Sequence, residues 1–219
     1  MFKKEEVRTV IDRIKVFKQN HIRIESGGRI IHIDPFMTDE SPHDADFILI
    51  THDHHDHFSP VDIEKTAGDR TVLIVPEKMR EKARAAEKFV GKIVTVKPVG
   101  TYSVDRLEFE TVPAYNIAKP FHPKAAGWVG YILCLEGRRV YVAGDTDATG
   151  EARSVRCDIA LLPAGGTYTM NAQQAAELAN VIKPGIAVPV HYGGIVGSVR
   201  DGEKFSSFVD KDIKVVLKI

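Results

Sequence analysis

Two cysteines in 219 residues are too few to staple a fold with disulfides. Cys134 and Cys157 both sit against apolar runs, so both are expected to be buried, reduced thiols in a cytoplasmic protein. Long hydrophobic runs are missing as well. No stretch approaches the ~18 uncharged apolar residues of a membrane-spanning helix, and residues 1–8 are charged with no apolar segment behind them, so neither a signal peptide nor a membrane partner is expected. Excess charge of either sign is absent: 30 Lys and Arg balance 30 Asp and Glu. That removes any bulk attraction to nucleic acid or to an anionic membrane. The chain has no repeat, no low-complexity tract and no Gly/Ser linker. What remains is the size and composition of one globular domain, residues 1–219, with enough apolar content to build a core.

Short strand-like runs alternate with helical ones, which predicts an α/β fold. Ser26-Gly27-Gly28 between two apolar stretches predicts a hairpin turn, and residues 46–51 form an apolar run expected as a buried strand. Ser59-Pro60 predicts a helix start, with Ser as N-cap and Pro in the first turn. Met79, Ala83, Ala86 and Val90 fall at helical spacing, predicting one amphipathic helix over 77–90. Asn171 with Gln174 three residues later opens another helix. Further strands are expected over 71–75, 107–112, 130–135, 140–143, 158–162, 186–190 and 213–219, with a short helix over 201–209. Polar clusters at His52, Asp145 and His191 each follow a strand end, where loops held by rigid elements build sites.

The densest of these clusters is Thr51-His52-Asp53-His54-His55-Asp56-His57. Near-extended backbone turns residues i and i+2 to one side, so His52 and His54 can share one ion while Asp56 and His57 face a second. Imidazole and carboxylate donors suit zinc, with manganese or iron as alternatives. His55 is expected to be exposed.

His-x-His-x-Asp-His after an apolar strand resembles the metallo-β-lactamase superfamily. Three weaker matches follow in order: Ile31-His32-Ile33-Asp34-Pro35-Phe36, Ala143-Gly144-Asp145-Thr146-Asp147 and Pro189-Val190-His191-Tyr192-Gly193. The resemblance implies a four-layer αββα sandwich and two divalent metal ions. It implies His52 and His54 as ligands of the first ion, Asp56, His57 and His191 as ligands of the second, and Asp145 as the bridge. Asp34 would orient a ligand histidine rather than touch metal. One departure stands out. The superfamily's further first-site histidine is expected near Val112-Pro113-Ala114-Tyr115-Asn116, which ends in Asn. His122 is the only imidazole between His57 and Asp145, so either the 121–123 loop folds inward to fill the gap, or Asn116 leaves the site short of a ligand, or His122 serves the substrate as an acid. The inward loop is favoured.

The expected activity is that of a metal-dependent hydrolase: a hydroxide shared by the two ions, oriented by Asp56, cleaves an ester, lactone or phosphodiester of a small molecule. Tyr168, in the loop Gly165-Gly166-Thr167-Tyr168-Thr169-Met170, would donate to developing negative charge. Lys119 and Lys124 would draw an anionic substrate. The nearest branch of the superfamily is the compact stand-alone one, similar to lactonase-like and phospholipase D-like members. A di-iron redox protein and a metal-binding module without turnover are the alternatives. The sequence gives no oligomeric state.

Overall fold

The computed structural model describes residues 10–219; the charged segment 1–8 lies outside the described residues. Thirteen strands of that range form two sheets. The first has the order β1 (Ile14–Val16), β2 (Ile22–Ser26), β3 (Arg29–Ile33), β4 (Ala45–Leu49), β5 (Ala67–Pro76), β6 (Lys92–Val96). The second runs from β13 (Lys214–Val215) through β12 (Ile186–Val190), β11 (Ile159–Pro163), β10 (Arg138–Val142), β9 (Val129–Leu135) and β8 (Leu107–Pro113) to β7 (Gly100–Val104).

Side-chain alternation along the central strands builds the layers. Phe47 and Leu49 of β4, and Val72 and Ile74 of β5, enter the core between the sheets. Their neighbours Ile48, Leu73 and Val75 turn outward under the helical segments α1 (Pro60–Thr66) and α2 (Arg80–Ala83). In the second sheet Ile159 and Leu161 face the shared core. Ala160 and Leu162 face α3 (Gly150–Arg153), α4 (Ala172–Ile182) and α5 (Asp201–Phe208). A strand that feeds two cores must be apolar on both sides, which is why these strands read as unbroken hydrophobic runs. The result is the expected αββα sandwich.

Local signals behave as their chemistry requires. Gly27 and Gly28 both take positive φ, 58° and 73°, in the two-residue turn between β2 and β3. Ser59 caps α1 by accepting from the Asp62 amide. Asn171 and Gln174 form a reciprocal capping box on α4. Segment 77–90 differs from expectation. It coils throughout, but as 3-10 turns on both sides of a single α-helical turn, and Val90 is already extended. Its buried face consists of Met79 and two alanines, too little apolar surface to require a regular helix. The last strand is also shorter than expected, two residues instead of seven. Cys134 and Cys157 are free thiols, but partly exposed rather than fully buried; burial still pushes the Cys157 thiol up to about 12. Among the described residues no helix is long and apolar enough to cross a membrane.

Strand direction decides where the site falls. β3 and β4 are parallel, and β10, β11 and β12 are parallel to one another. β8 and β10 are both antiparallel to β9, so they run the same way. The ends of β3 and β4, and the ends of β8, β10 and β12, therefore gather at one rim of each sheet. The Tyr131 hydroxyl donates to the Ile50 carbonyl at 2.7 Å and the Val129 amide to the Thr51 carbonyl at 3.1 Å, which locks the two rims together.

The capping box gives a test of the helix layer. Asn171→Ala removes the acceptor for the Gln174 amide and should lower unfolding free energy by about 1 kcal/mol, read as a midpoint shift in urea with unchanged slope.

Candidate metal centre

Asp34 leaves β3 with φ 46° and is fully buried. Its carboxylate accepts from the Thr51 amide (2.7 Å), the Thr51 hydroxyl (2.6 Å), the Asn20 side-chain amide (2.7 Å) and His57 Nδ1 (2.7 Å). The Thr51 hydroxyl donates its proton to Asp34, so it accepts from His52 Nδ1 at 3.0 Å. His52 and His57 are thereby held from behind through Nδ1, which leaves Nε2 of each facing the site.

The 116–122 loop does fold inward. His122 is 1 % exposed, and its backbone amide and Nδ1 both donate to Asn116 Oδ1, at 3.1 and 2.9 Å. The Asn116 amide donates to the His122 carbonyl at 2.7 Å, and its side-chain amide donates to the Tyr168 carbonyl at 3.0 Å. Asn116 thus does not project toward the centre as a donor atom. It closes the loop and fixes the tautomer of His122, whose Nε2 lies 3.3 Å from Asp145 Oδ2.

Asp145 follows Gly144, whose φ of 63° and closeness to Thr51 leave no room for a Cβ: it would stand 3.0 Å from Thr51 Cβ. The Asp145 carboxylate lies between two groups. Oδ2 is 3.3 Å from His122 Nε2 and 4.0 Å from His52 Nε2. Oδ1 is 3.4 Å from His57 Nε2 and 3.3 Å from His191 Nε2. His191, at φ 58°, donates its amide to the Gln19 carbonyl at 3.0 Å. Its Nε2 is 3.1 Å from His57 Nε2 and 3.5 Å from Asp56. Gln19 also donates to Asp56 Oδ2 at 3.2 Å. His54 Nδ1 stands 3.1 Å from His52 Nε2.

Three sets of donor atoms lie within 4.8 Å of one another: His52, His54 and His122; His52, His57 and Asp145; and Asp56, His57 and His191. His122 Nε2 and Asp145 Oδ1 are buried with no hydrogen-bond partner. A bare imidazole lone pair 3.3 Å from a carboxylate oxygen is unfavourable unless a proton or cation lies between them. Nitrogen and carboxylate donors, clustered and unsatisfied, are what a divalent cation fits.

Electrostatics follow from burial and crowding. Burial opposes charge on Asp145, yet His191 and His57 hold its carboxyl well below the usual range. Asp56 is likewise held down, with burial outweighed by His191 and His57. Burial, reinforced by His57, pushes His52 well below the ordinary imidazole value. His54 is lowered by burial and by His122. Burial also opposes charge on His57, but Asp145 and Asp34 outweigh it and raise this imidazole well above normal.

Other sequence candidates sit differently. His55 is exposed, its side chain at 82 %. The Tyr168 ring stands edge-on to Phe121 at 4.7 Å, and it is the backbone carbonyl that joins the Asn116 network. Lys119 pairs with Asp147, and Lys124 with Glu151 at 2.6 Å. Sequence reasoning passed over four supporting residues. Gln19 and Asn20 lie in the β1–β2 turn and carry no motif. Thr51 lies inside the cluster and went unassigned. Trp128, the single tryptophan of the chain, packs its ring 5.0 Å from His52, 4.9 Å from His54 and 5.5 Å from His122.

Comparison with known proteins agrees with this geometry. A family model described as the beta-lactamase superfamily domain matches residues 13–191. A UPF0173 metal-dependent hydrolase of Pyrococcus furiosus is 32 % identical over 206 residues, covering 87 % of this chain and 89 % of that protein. One of Thermus thermophilus is 31 % identical over 205 residues, covering 88 % and 89 %. Among solved structures, a proposed metal-dependent hydrolase from Parabacteroides distasonis superposes with a TM-score of 0.77 at 32 % identity, covering 93 % of this chain and 91 % of that one. A metallo hydrolase of Ignicoccus hospitalis, at 23 % identity, shares the fold with a TM-score of 0.74 and 93 % of both chains covered. The chain therefore belongs to the metallo-β-lactamase superfamily, as a metal-dependent hydrolase of the UPF0173 group.

Proposed function

We propose that this protein, acting as one domain, is a binuclear hydrolase that cleaves an ester, lactone or phosphodiester bond of a small molecule. The observation that carries the reading is the set of three imidazoles tied from behind. His52 is held by Thr51, His57 by Asp34 and His122 by Asn116, so that three Nε2 atoms converge on one buried carboxylate, Asp145. On this reading His52, His54 and His122 hold one divalent ion, Asp56, His57 and His191 hold the other, and Asp145 serves both. His122 is then a ligand rather than an acid–base group. Zinc suits the nitrogen-rich donor set, with manganese or iron as alternatives.

When bound, such ions polarise a substrate oxygen and make a water acidic enough to attack near neutral pH. The chain's own groups supply the rest. Asp56, aimed by Gln19 and with one oxygen turned toward His57 and His191, can accept the proton of the attacking water. On this reading Tyr168, whose ring stands edge-on to Phe121, would donate from its hydroxyl to charge that develops on the substrate. Trp128 shields one side of the imidazole cluster from bulk water, which strengthens each electrostatic contact inside.

Elemental analysis of protein loaded with zinc, manganese or iron should find close to two ions per chain. Asp145→Ala should retain the fold by circular dichroism, lose at least one ion and lose turnover on chromogenic esters, lactones and phosphodiesters assayed side by side. Wild-type metal content and turnover in that variant would remove Asp145 from the centre.

The loop closure makes a separate claim. His122→Ala should weaken one ion of the pair by more than the ~10- to 100-fold typical of losing a supporting group. Asn116→Ala, which leaves the imidazole in place but frees its orientation, should fall within that ~10- to 100-fold span. Competition with a chelator measures both, and unchanged affinity in both variants would mean that His122 holds no ion.

A further inference from the structure

We infer that the 116–128 loop and its neighbours form an uncharged apolar landing beside the imidazole cluster, and that the substrate is a neutral ester or lactone carrying a hydrocarbon or aryl group, not a phosphodiester. This rests on the hydrolase reading of the same site and narrows it.

The first support is charge. The two lysines of the loop that carries His122 are the groups that would greet an anion, and neither is free. Lys119 is paired with Asp147, which also accepts from the Ile117 amide at 2.9 Å. Lys124 is paired with Glu151, and Tyr115 stands behind both, donating to Glu151 at 2.8 Å. Lys82, next to the metal motif, is paired with Asp53. Each cation meets its own carboxylate, so this rim offers no net positive charge to a phosphate.

The second support is the surface left between these pairs. Phe121, adjacent in sequence to His122, is 41 % exposed and stacks edge-on with Tyr168, which is 38 % exposed. Ile117, next to Asn116, is 68 % exposed. Trp128 is half-buried against His52, His54 and His122. In the loop after His191, Ile195 is 52 % exposed, and its backbone amide donates to the Gln19 side chain that also holds Asp56. Large apolar side chains from three separate loops thus remain open to solvent around one polar centre. A patch of that kind, rimmed by paired charges, marks a surface that binds apolar matter. Its occupant is the hydrocarbon part of the substrate, because the patch adjoins the donor atoms where the scissile bond must sit. Hydrolysis then adds water across the C–O bond: hydroxyl goes to the acyl carbon and the proton to the leaving oxygen.

Trp128 makes the inference measurable without turnover, because it is the chain's only tryptophan. Metal-loaded protein is titrated with p-nitrophenyl butyl ether, a neutral, uncleavable quencher, and separately with bis(p-nitrophenyl) phosphate. Saturable quenching by the ether, weakened about fivefold or more in Phe121→Ala with metal content unchanged, is the expected result. In parallel, kcat/KM for p-nitrophenyl alkanoates should climb by roughly two- to fourfold per added methylene, the range of partial to full burial. Tighter binding of the diester than of the ether, or a flat chain-length series, would overturn the apolar landing. Absence of any turnover together with saturable ether binding would overturn the hydrolase reading while leaving the landing intact. Should Phe121→Ala misfold, Tyr168→Ala serves as the second variant, with the same two outcomes.

Discussion

The Asp34 carboxylate is the constraint on which the site depends. A fully buried anion is costly unless its lone pairs are filled, and here four donors fill them, from the β1–β2 turn, from the first residues past β4 and from His57. Each donor is thereby fixed against the others. The residue sits at φ 46°, a conformation that costs a non-glycine residue of order 1–3 kcal/mol and persists only where its surroundings over-determine it. Those surroundings are the hydrogen bonds themselves. Through Thr51 the same carboxylate reaches His52, so one anion sets the orientation of two imidazoles.

The sandwich converts that local constraint into a centre shared by two sheets. His52, His54, Asp56 and His57 come from the end of one strand, β4. Asp145 and His191 come from β10 and β12 of the other sheet. Neither sheet alone holds all the donors that cluster here. Contact between the rims, through Tyr131 and Val129, sets the spacing at which His57 and His191 approach to 3.1 Å. Gly144 is part of the same fit, since a side chain there would push against Thr51.

Legibility in the sequence followed locality. The hairpin glycines, the Ser59 cap and the Asn171 capping box all act within four residues, and each was readable. The His-x-His-x-Asp-His run was readable for the same reason, and Asp34 could be placed only through its strand-end motif. Asn116 was harder. It read as a missing ligand because its position is what the motif preserves, while its function lies in a six-residue return to His122 that no periodicity encodes. Gln19 was invisible: it acts far along the chain, on Asp56 and on His191. Strands β1, β6 and β7 also escaped. They lie at or next to sheet edges with alternating, partly exposed residues, so their pairing rather than their composition makes them strands.

The groups that orient the imidazoles differ from those that face the centre. Asp34, Thr51 and Asn116 make their hydrogen bonds to protein groups, behind the ring nitrogens that face the centre. Where such a frame is absent, as in small zinc domains, the ion must order its own ligands and binding becomes folding. Here the core between the sheets orders the strands, and the strand ends order the donors. Cation binding then has little chain entropy left to oppose it. Electrostatics work in the same direction: burial opposes charge on His57, but Asp145 and Asp34 outweigh it and raise this imidazole. Those negative groups favour a bound cation as well, and a dication outmatches a proton on charge. The frame therefore holds nitrogen and carboxylate donors at a spacing that a divalent cation fits.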